Sequence, residues 1–102
     1  MARVIVSSLA QADSDCILTD LAEKAGYNVA ARYAASFEAL YARFAVHPAS
    51  GAPRPTIGPD VRIGIVSPYI VIYGHDKATD TVTIFRIVHG RRKISGKLLR
   101  GG

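Results

Sequence analysis

The chain has 102 residues, of which 49% are hydrophobic and 21% are charged. This composition is typical of a single globular domain and excludes a disordered chain. The opening residues lack a signal peptide's apolar core, no apolar run approaches the roughly 20 residues of a bilayer span, and the single cysteine, Cys16, excludes an internal disulfide. We therefore expect one domain over 1–102 in a cytoplasmic protein, without a membrane segment.

The positive charge is concentrated at the carboxyl end of the chain. The net charge is +5, and residues 81–102 carry six cations and no carboxylate, so the rest of the chain sums to −1. A local positive patch attracts polyanions or an acidic partner, and salt weakens that attraction. The segment from about 90 to 102 is therefore interpreted as a basic tail that meets a partner, with a simply solvated terminus as the alternative.

The chain begins with a predicted strand and helix. Residues 2–6 form a short run rich in β-branched residues, which is typical of a strand. Ser8 and Gln11 have the spacing of a capping box, so a helix is predicted from there to about Ala25. Gly26 is placed to end that helix. Cys16 is expected to be a small core residue of this helix and not a catalytic thiol.

A second helix is predicted to follow almost immediately. Asn28 can cap it, and it runs to about Val46, with Tyr33, Phe37 and Tyr41 along one stripe. Because Gly26 leaves little connection between the two helices, they are expected to form an antiparallel hairpin.

The second half of the chain is predicted to consist of strands. Residues 47–60 hold four of the five prolines and are interpreted as a stiff connector. Three strands follow, at 61–66, 69–74 and 81–88, with a polar loop at 75–80. The fold class is therefore α+β, with the order β-α-α-β-β-β and an antiparallel sheet that carries the helical hairpin on one face.

Both faces of the predicted sheet are apolar. In the last strand, alternation places Val82, Ile84 and Val88 on one face, and Phe85 and Ile87 on the other. Two helices can cover only one face, so the other is expected to be a partner surface. The alternative is that the connector and the tail fold over it.

The residues suggest little catalytic chemistry. The three histidines are far apart and form no metal-ligand spacing, so no metal and no cofactor are expected. The segment His89-Gly90-Arg91-Arg92-Lys93 could in principle supply a general base and phosphate-binding arginines for a ribonuclease. Solvated cations at the end of a strand are the simpler interpretation. The sequence therefore favours a protein that is not an enzyme, with an endoribonuclease as the alternative.

The whole pattern resembles the RelE/ParE superfamily of type II toxins, and most closely its ParE branch. The resemblance lies in three stretches: the helix end and connector "HPASGAPRPTIGPDVR" (47–62), the strand "YIVIY" (69–73) and the final strand "VTIFRIVHGRR" (82–92). It covers about the last 55 residues closely and the helical half in pattern.

The resemblance implies a small toxin, of the kind that stabilises plasmids, which is neutralised by direct binding of a co-expressed antitoxin. That antitoxin is expected to be ParD-like, with a ribbon-helix-helix domain through which the hetero-oligomer binds operator DNA. ParE-like members inhibit DNA gyrase, whereas RelE-like members cleave mRNA on the ribosome. No aromatic residue follows His89 in this chain, which favours the gyrase branch. A member that has lost toxicity and keeps only antitoxin binding is a third possibility.

Site residues follow from these interpretations. The expected target-binding set is Arg86, His89, Arg91, Arg92, Lys93 and Lys97. The expected antitoxin-binding set is Tyr33, Phe37, Tyr41, Tyr69, Ile72 and Phe85. If the chain were a ribonuclease, its catalytic set would be His89, Arg91, Arg92 and Arg62.

Overall fold

The structure, a computed structural model, describes residues 1–91 and Leu99. Its elements are, in chain order, β1 (Arg3–Val6), α1 (Ser8–Ala25), α2 (Tyr27–Val46), β2 (Ala52–Pro53), β3 (Val61–Val66), β4 (Tyr69–Asp76) and β5 (Thr81–His89). The α+β class and the helical hairpin are confirmed. The two-residue strand β2 was not predicted, because it lies inside the proline-rich connector.

The sheet is mixed, so the prediction of an antiparallel sheet is wrong in one respect. The strand order is β1-β5-β4-β3-β2, and β1 pairs with β5 in parallel while the other pairs are antiparallel. Parallel strands require a crossover, and the helical hairpin is the first part of it. The strand β1 thus lies beside the last strand of the meander, at one edge of the sheet.

The start of α1 differs from the predicted capping box. Ser7, and not Ser8, is the N-cap: its Oγ accepts a hydrogen bond from the Ala10 N–H at 3.1 Å and donates to the Phe85 carbonyl at 2.9 Å. The Gln11 side chain donates instead to a carboxylate one turn further along the helix. The cap therefore also fastens α1 to β5.

The junction between the helices depends on Gly26 alone. Its φ of 96° lies in the region that favours glycine, and it both ends α1 and precedes α2 without a side-chain cap. Asn28 is consequently inside α2 and does not cap it. Cys16 is exposed, so the expectation of a core residue is also wrong.

The helix α2 lies close to the sheet because β3 has a glycine beneath it. A Cβ atom on Gly64 would lie 2.6 Å from Phe44 Cζ and 3.1 Å from Leu40 Cδ2. Phe44 in turn stacks on Tyr73, with ring centroids 3.8 Å apart. These contacts form the centre of the main core between the hairpin and the sheet.

The connector is fixed to the sheet by the same tyrosine. Tyr73 is fully buried, and its hydroxyl donates to the Pro48 carbonyl and accepts from the Gly51 N–H, both at 2.8 Å. A Cβ atom on Gly51 would lie 2.6 Å from this hydroxyl, so only glycine fits there without a shift. The connector is therefore held against β3 and β4.

A β-bulge in β5 changes which side chains face the helices. Ile72 pairs with Arg86 and Tyr73 pairs with Ile84, so Phe85 is the extra residue. Beyond it the alternation shifts by one position: Ile87 packs in the main core, and Val88 packs on the opposite face. The predicted faces of these last two residues are therefore wrong, since simple alternation ignores the bulge.

The second face of the sheet carries its own small core. Ile57 of the connector is buried there with Val61, Ile63, Ile72 and Val88, and Leu99 packs against this cluster. The connector and Leu99 therefore cover this part of the second face, so the expectation of an open partner surface here is wrong and the alternative describes the region better.

Candidate functional site

The exposed end of β5 contacts two tyrosines at the end of the sheet where β3 turns into β4. His89, the last residue of β5, pairs with Tyr69, the first residue of β4, and their rings lie edge to face at 5.9 Å. Tyr33 of α2 lies edge to face against Tyr69 at 5.6 Å, and its hydroxyl donates to the Ser67 carbonyl at 3.2 Å. Burial, followed by the neighbouring Tyr33, raises the pKa of Tyr69. The fold thus brings these three rings together.

The ring of His89 is oriented by the backbone that follows it. The Arg91 N–H donates to His89 Nδ1 at 3.1 Å, which assigns the hydrogen of the neutral ring to Nε2. Both residues are exposed. Arg92, Lys93 and Lys97 of the expected target-binding set lie outside the described residues.

Arg86 does not belong to an exposed basic surface. It is only 8% exposed, and its guanidinium donates to both oxygens of Asp13, from Nε at 2.7 Å and from Nη2 at 2.9 Å. The hydrogen bond to Asp13 raises the pKa of Arg86. The same carboxylate accepts the Ile87 N–H at 2.9 Å, so Asp13 caps the edge of β5 beyond the end of β1. The structure thus argues against Arg86 as a target contact.

Arg62 is likewise used within the fold. Its Nη1 donates to the Gly51 carbonyl at 2.8 Å and to the Ala49 carbonyl at 3.2 Å. In register it lies beside Tyr73, four residues along β4 from the Tyr69–His89 pair. At roughly 3.3 Å per residue that is about 13 Å along the sheet. The fold therefore does not bring Arg62 to His89.

The expected antitoxin-binding residues are divided between the two faces of the sheet. Phe37 and Ile72 are buried within the chain, at 2% and 0% exposure, so neither offers a free surface. Tyr33, Tyr41 and Tyr69 are half-buried around the main core, whereas Phe85 is half-buried on the opposite face.

A groove between the helices is one feature that the sequence reasoning missed. It is mostly apolar and is lined by Leu18, Thr19, Ala22, Tyr27, Ala30, Ala31 and Ala34. Its signal in the sequence is the row of alanines on α2, because their small side chains leave room for the groove on that side. Tyr27, 82% exposed, stands at its end.

Two kinds of site receive no support from the described residues. Within 1–91 and position 99, no group of three or more metal-ligating side chains comes together. In the same part of the chain, neither helix is long and apolar enough to cross a membrane.

Comparisons with known proteins agree with this architecture. Residues 4–94 match the model of the family described as the ParE toxin of type II toxin–antitoxin systems. The chain is 31% identical over 101 residues to Toxin ParE3 of Caulobacter vibrioides, covering 96% of each chain. A structure titled "Chromosomal ParDE TA system from P. aeruginosa" shares the fold, with a TM-score of 0.72, 21% identity and coverage of 87% of this chain and 96% of the other. The chain therefore belongs to the ParE toxin family of type II toxin–antitoxin systems.

Proposed function

We propose that this toxin inhibits DNA gyrase by binding and not by catalysis, and that a ParD-like antitoxin neutralises it in the cytoplasm. On this proposal the chain acts as one domain over 1–102. Its target-binding surface is the end of the sheet where β3 turns into β4, with His89 and Arg91. The basic segment that follows Arg91 belongs to the same surface. The antitoxin, through a ribbon-helix-helix domain, supplies the contact with operator DNA in the hetero-oligomer.

The position of Arg62 is the observation that most supports a non-enzymatic toxin. A ribonuclease built on His89 needs cations close enough to stabilise charge on the reacting phosphate. Arg62, one of the cations named for that role, is hydrogen-bonded to two connector carbonyls and lies four residues along the sheet. Its side chain stabilises the connector, which accounts for an arginine at this position without catalysis.

The binding surface can be tested by a charge-matched pair of variants. Replacing Arg91, Arg92 and Lys93 by alanine should weaken inhibition of gyrase supercoiling by about tenfold or more, because these cations attract an acidic or nucleic-acid surface. Replacing Arg32, Arg43 and Lys77 by alanine removes the same charge elsewhere and should leave inhibition nearly unchanged. Equal losses in both variants would mean that only net charge matters and would contradict a local surface.

A ribosome-dependent ribonuclease is the second candidate, and the exposed His89 ring beside Tyr69 is the observation that favours it. His89→Ala should then abolish mRNA cleavage on programmed ribosomes, whereas a gyrase inhibitor should keep most of its activity. The wild-type chain and His89→Ala are each measured in a gyrase supercoiling assay and in a ribosome cleavage assay. A chain that is inactive in both and harmless to growth would instead be a non-toxic member that keeps antitoxin binding.

We place the antitoxin contact on the helical side, over Tyr33, Tyr69 and the groove between α1 and α2. An amphipathic helix fits a mostly apolar groove with low alanine walls. Ala31 lines this groove and is exposed, so Ala31→Glu should weaken antitoxin binding by at least about tenfold without unfolding the chain. Ala35→Glu, exposed on the same helix but outside the groove lining, is the control. Calorimetric titration with the antitoxin distinguishes the two.

A further inference from the structure

The strand β1 presents an open edge. It is the outermost strand of the sheet on its side, next to β5. The Arg3 N–H donates to the Asp80 carbonyl and the Ser7 N–H donates to the Ile84 carbonyl, so these residues direct their backbone groups inwards. Alternation then directs the N–H and C=O groups of Val4 and Val6 outwards, where no described strand pairs with them.

Exposed apolar side chains gather around this edge. Six large apolar side chains are exposed in the described part of the chain, and four of them are here: Met1 at 95%, Ile5 at 38%, Leu9 at 38% and Val46 at 51%. Val46 belongs to the group because the carbonyl of its neighbour Ala45 accepts the Ala2 N–H. An apolar cluster beside unpaired backbone groups is typical of a protein–protein contact.

We propose that this edge pairs with the same edge of a second copy of the chain. In an antiparallel arrangement with the two-fold axis at Ile5, Val4 of each copy lies opposite Val6 of the other. Each of these two pairs exchanges two backbone hydrogen bonds, so the contact contains four. Other two-fold registers leave one of these residues opposite the start of α1 or opposite Ala2, whose N–H is already bonded. The strand is therefore complementary to itself in one register.

The side chains suit that register. Val4 and Val6 pack in the main core, so Ile5 points to the opposite face and meets its own copy across the axis. Arg3 of one copy lies opposite Ser7 of the other, so this register places no like charges against each other. Residues 1 and 2 of one copy reach the first turn of α1 in the other, where Leu9 is exposed. The contact covers the exposed apolar cluster but is small, so we expect a dissociation constant on the order of tens of micromolar.

Sedimentation velocity of the purified chain tests this, from about 5 to about 500 µM. The wild-type chain should shift from monomer to dimer with concentration. Ile5→Lys should remain monomeric throughout because two ammonium groups face each other. Ile65→Lys, the same change at an exposed apolar residue of β3, far from β1 in the sheet, should still dimerise. A wild-type chain that stays monomeric, or a dimer lost only in Ile65→Lys, overturns the proposal.

A mixing experiment separates pairing from general surface effects. Ile5→Glu and Ile5→Lys should each be monomeric alone, and an equimolar mixture should recover the dimer, because the two-fold pairing sets opposite charges against each other. Circular dichroism establishes that each variant is folded before mixing. A mixture of folded variants that remains monomeric while the wild-type chain dimerises would place the contact elsewhere and overturn the proposal.

Discussion

The ion pair between Asp13 and Arg86 gives the sharpest test of how α1 is fastened to the sheet. We consider Asp13→Ala, which removes a carboxylate that accepts two hydrogen bonds from Arg86 and one from the Ile87 N–H. The side chains of Arg86 and Asp13 are only 10% and 16% exposed. The variant therefore leaves a nearly buried guanidinium and a backbone donor without this acceptor.

The size of the effect follows from that burial. Removing one partner of a buried ion pair costs about 3–5 kcal/mol. Because both side chains keep some contact with water, we expect about 3 kcal/mol less free energy of unfolding. For a domain of this size, each kcal/mol lowers the melting temperature by roughly 4–8 °C, so the midpoint should fall by about 12–24 °C.

Urea and thermal unfolding, followed by circular dichroism, measure the loss. Asp13→Asn should lie between the wild-type chain and Asp13→Ala, because the amide oxygen can still accept the Ile87 N–H. Asp15→Ala, which removes an exposed carboxylate from the same helix, is the control and should change stability by less than about 0.5 kcal/mol. If Asp13→Ala loses less than about 1 kcal/mol, the reasoning that this pair fastens α1 to β5 is wrong.

Two tyrosines give further tests. Tyr73→Phe should lower the free energy of unfolding by about 2 kcal/mol, because the Pro48 carbonyl and the Gly51 N–H lose their buried partner; an unchanged urea midpoint would contradict this. For Tyr41, burial and then a nearby carboxylate raise the pKa to about 12. The fold thus favours the neutral phenol, and this contribution is complete below about pH 10 and lost as pH rises towards 12. Tyr41→Phe should therefore unfold at a higher pH than the wild-type chain in an alkaline titration, whereas Tyr27→Phe, at an 82% exposed position, should not.

Local signals were enough to predict the helices and the class of fold. The aromatic stripe of α2 has helical spacing, Gly26 ends α1, and Pro48 follows the end of α2, so the bounds agree with the structure within a residue or two. The three strands of the meander were also predicted from their β-branched runs. Each of these features depends on neighbours within a few residues.

Three of the errors have the opposite origin, since they depend on residues far apart in the chain. Arg86 was counted with the basic tail because no local pattern indicates that Asp13, 73 residues earlier, would pair with it. The faces of Ile87 and Val88 were exchanged because the bulge at Phe85 appears only when β5 is aligned with β4. The parallel pairing of β1 likewise becomes evident only when both ends of the sheet are placed together.

That parallel pairing has a consequence for when the toxin can form during synthesis. Residues 3–6 find their partners only at 81–84, and β5 lies between β1 and β4 in the finished sheet. A nascent chain that has not yet extended past this last strand has no place for its first strand, and it leaves β4 unpaired on one side. The fold therefore becomes complete only after β5 has been synthesised, so a shortened translation product that lacks β5 is expected to be harmless.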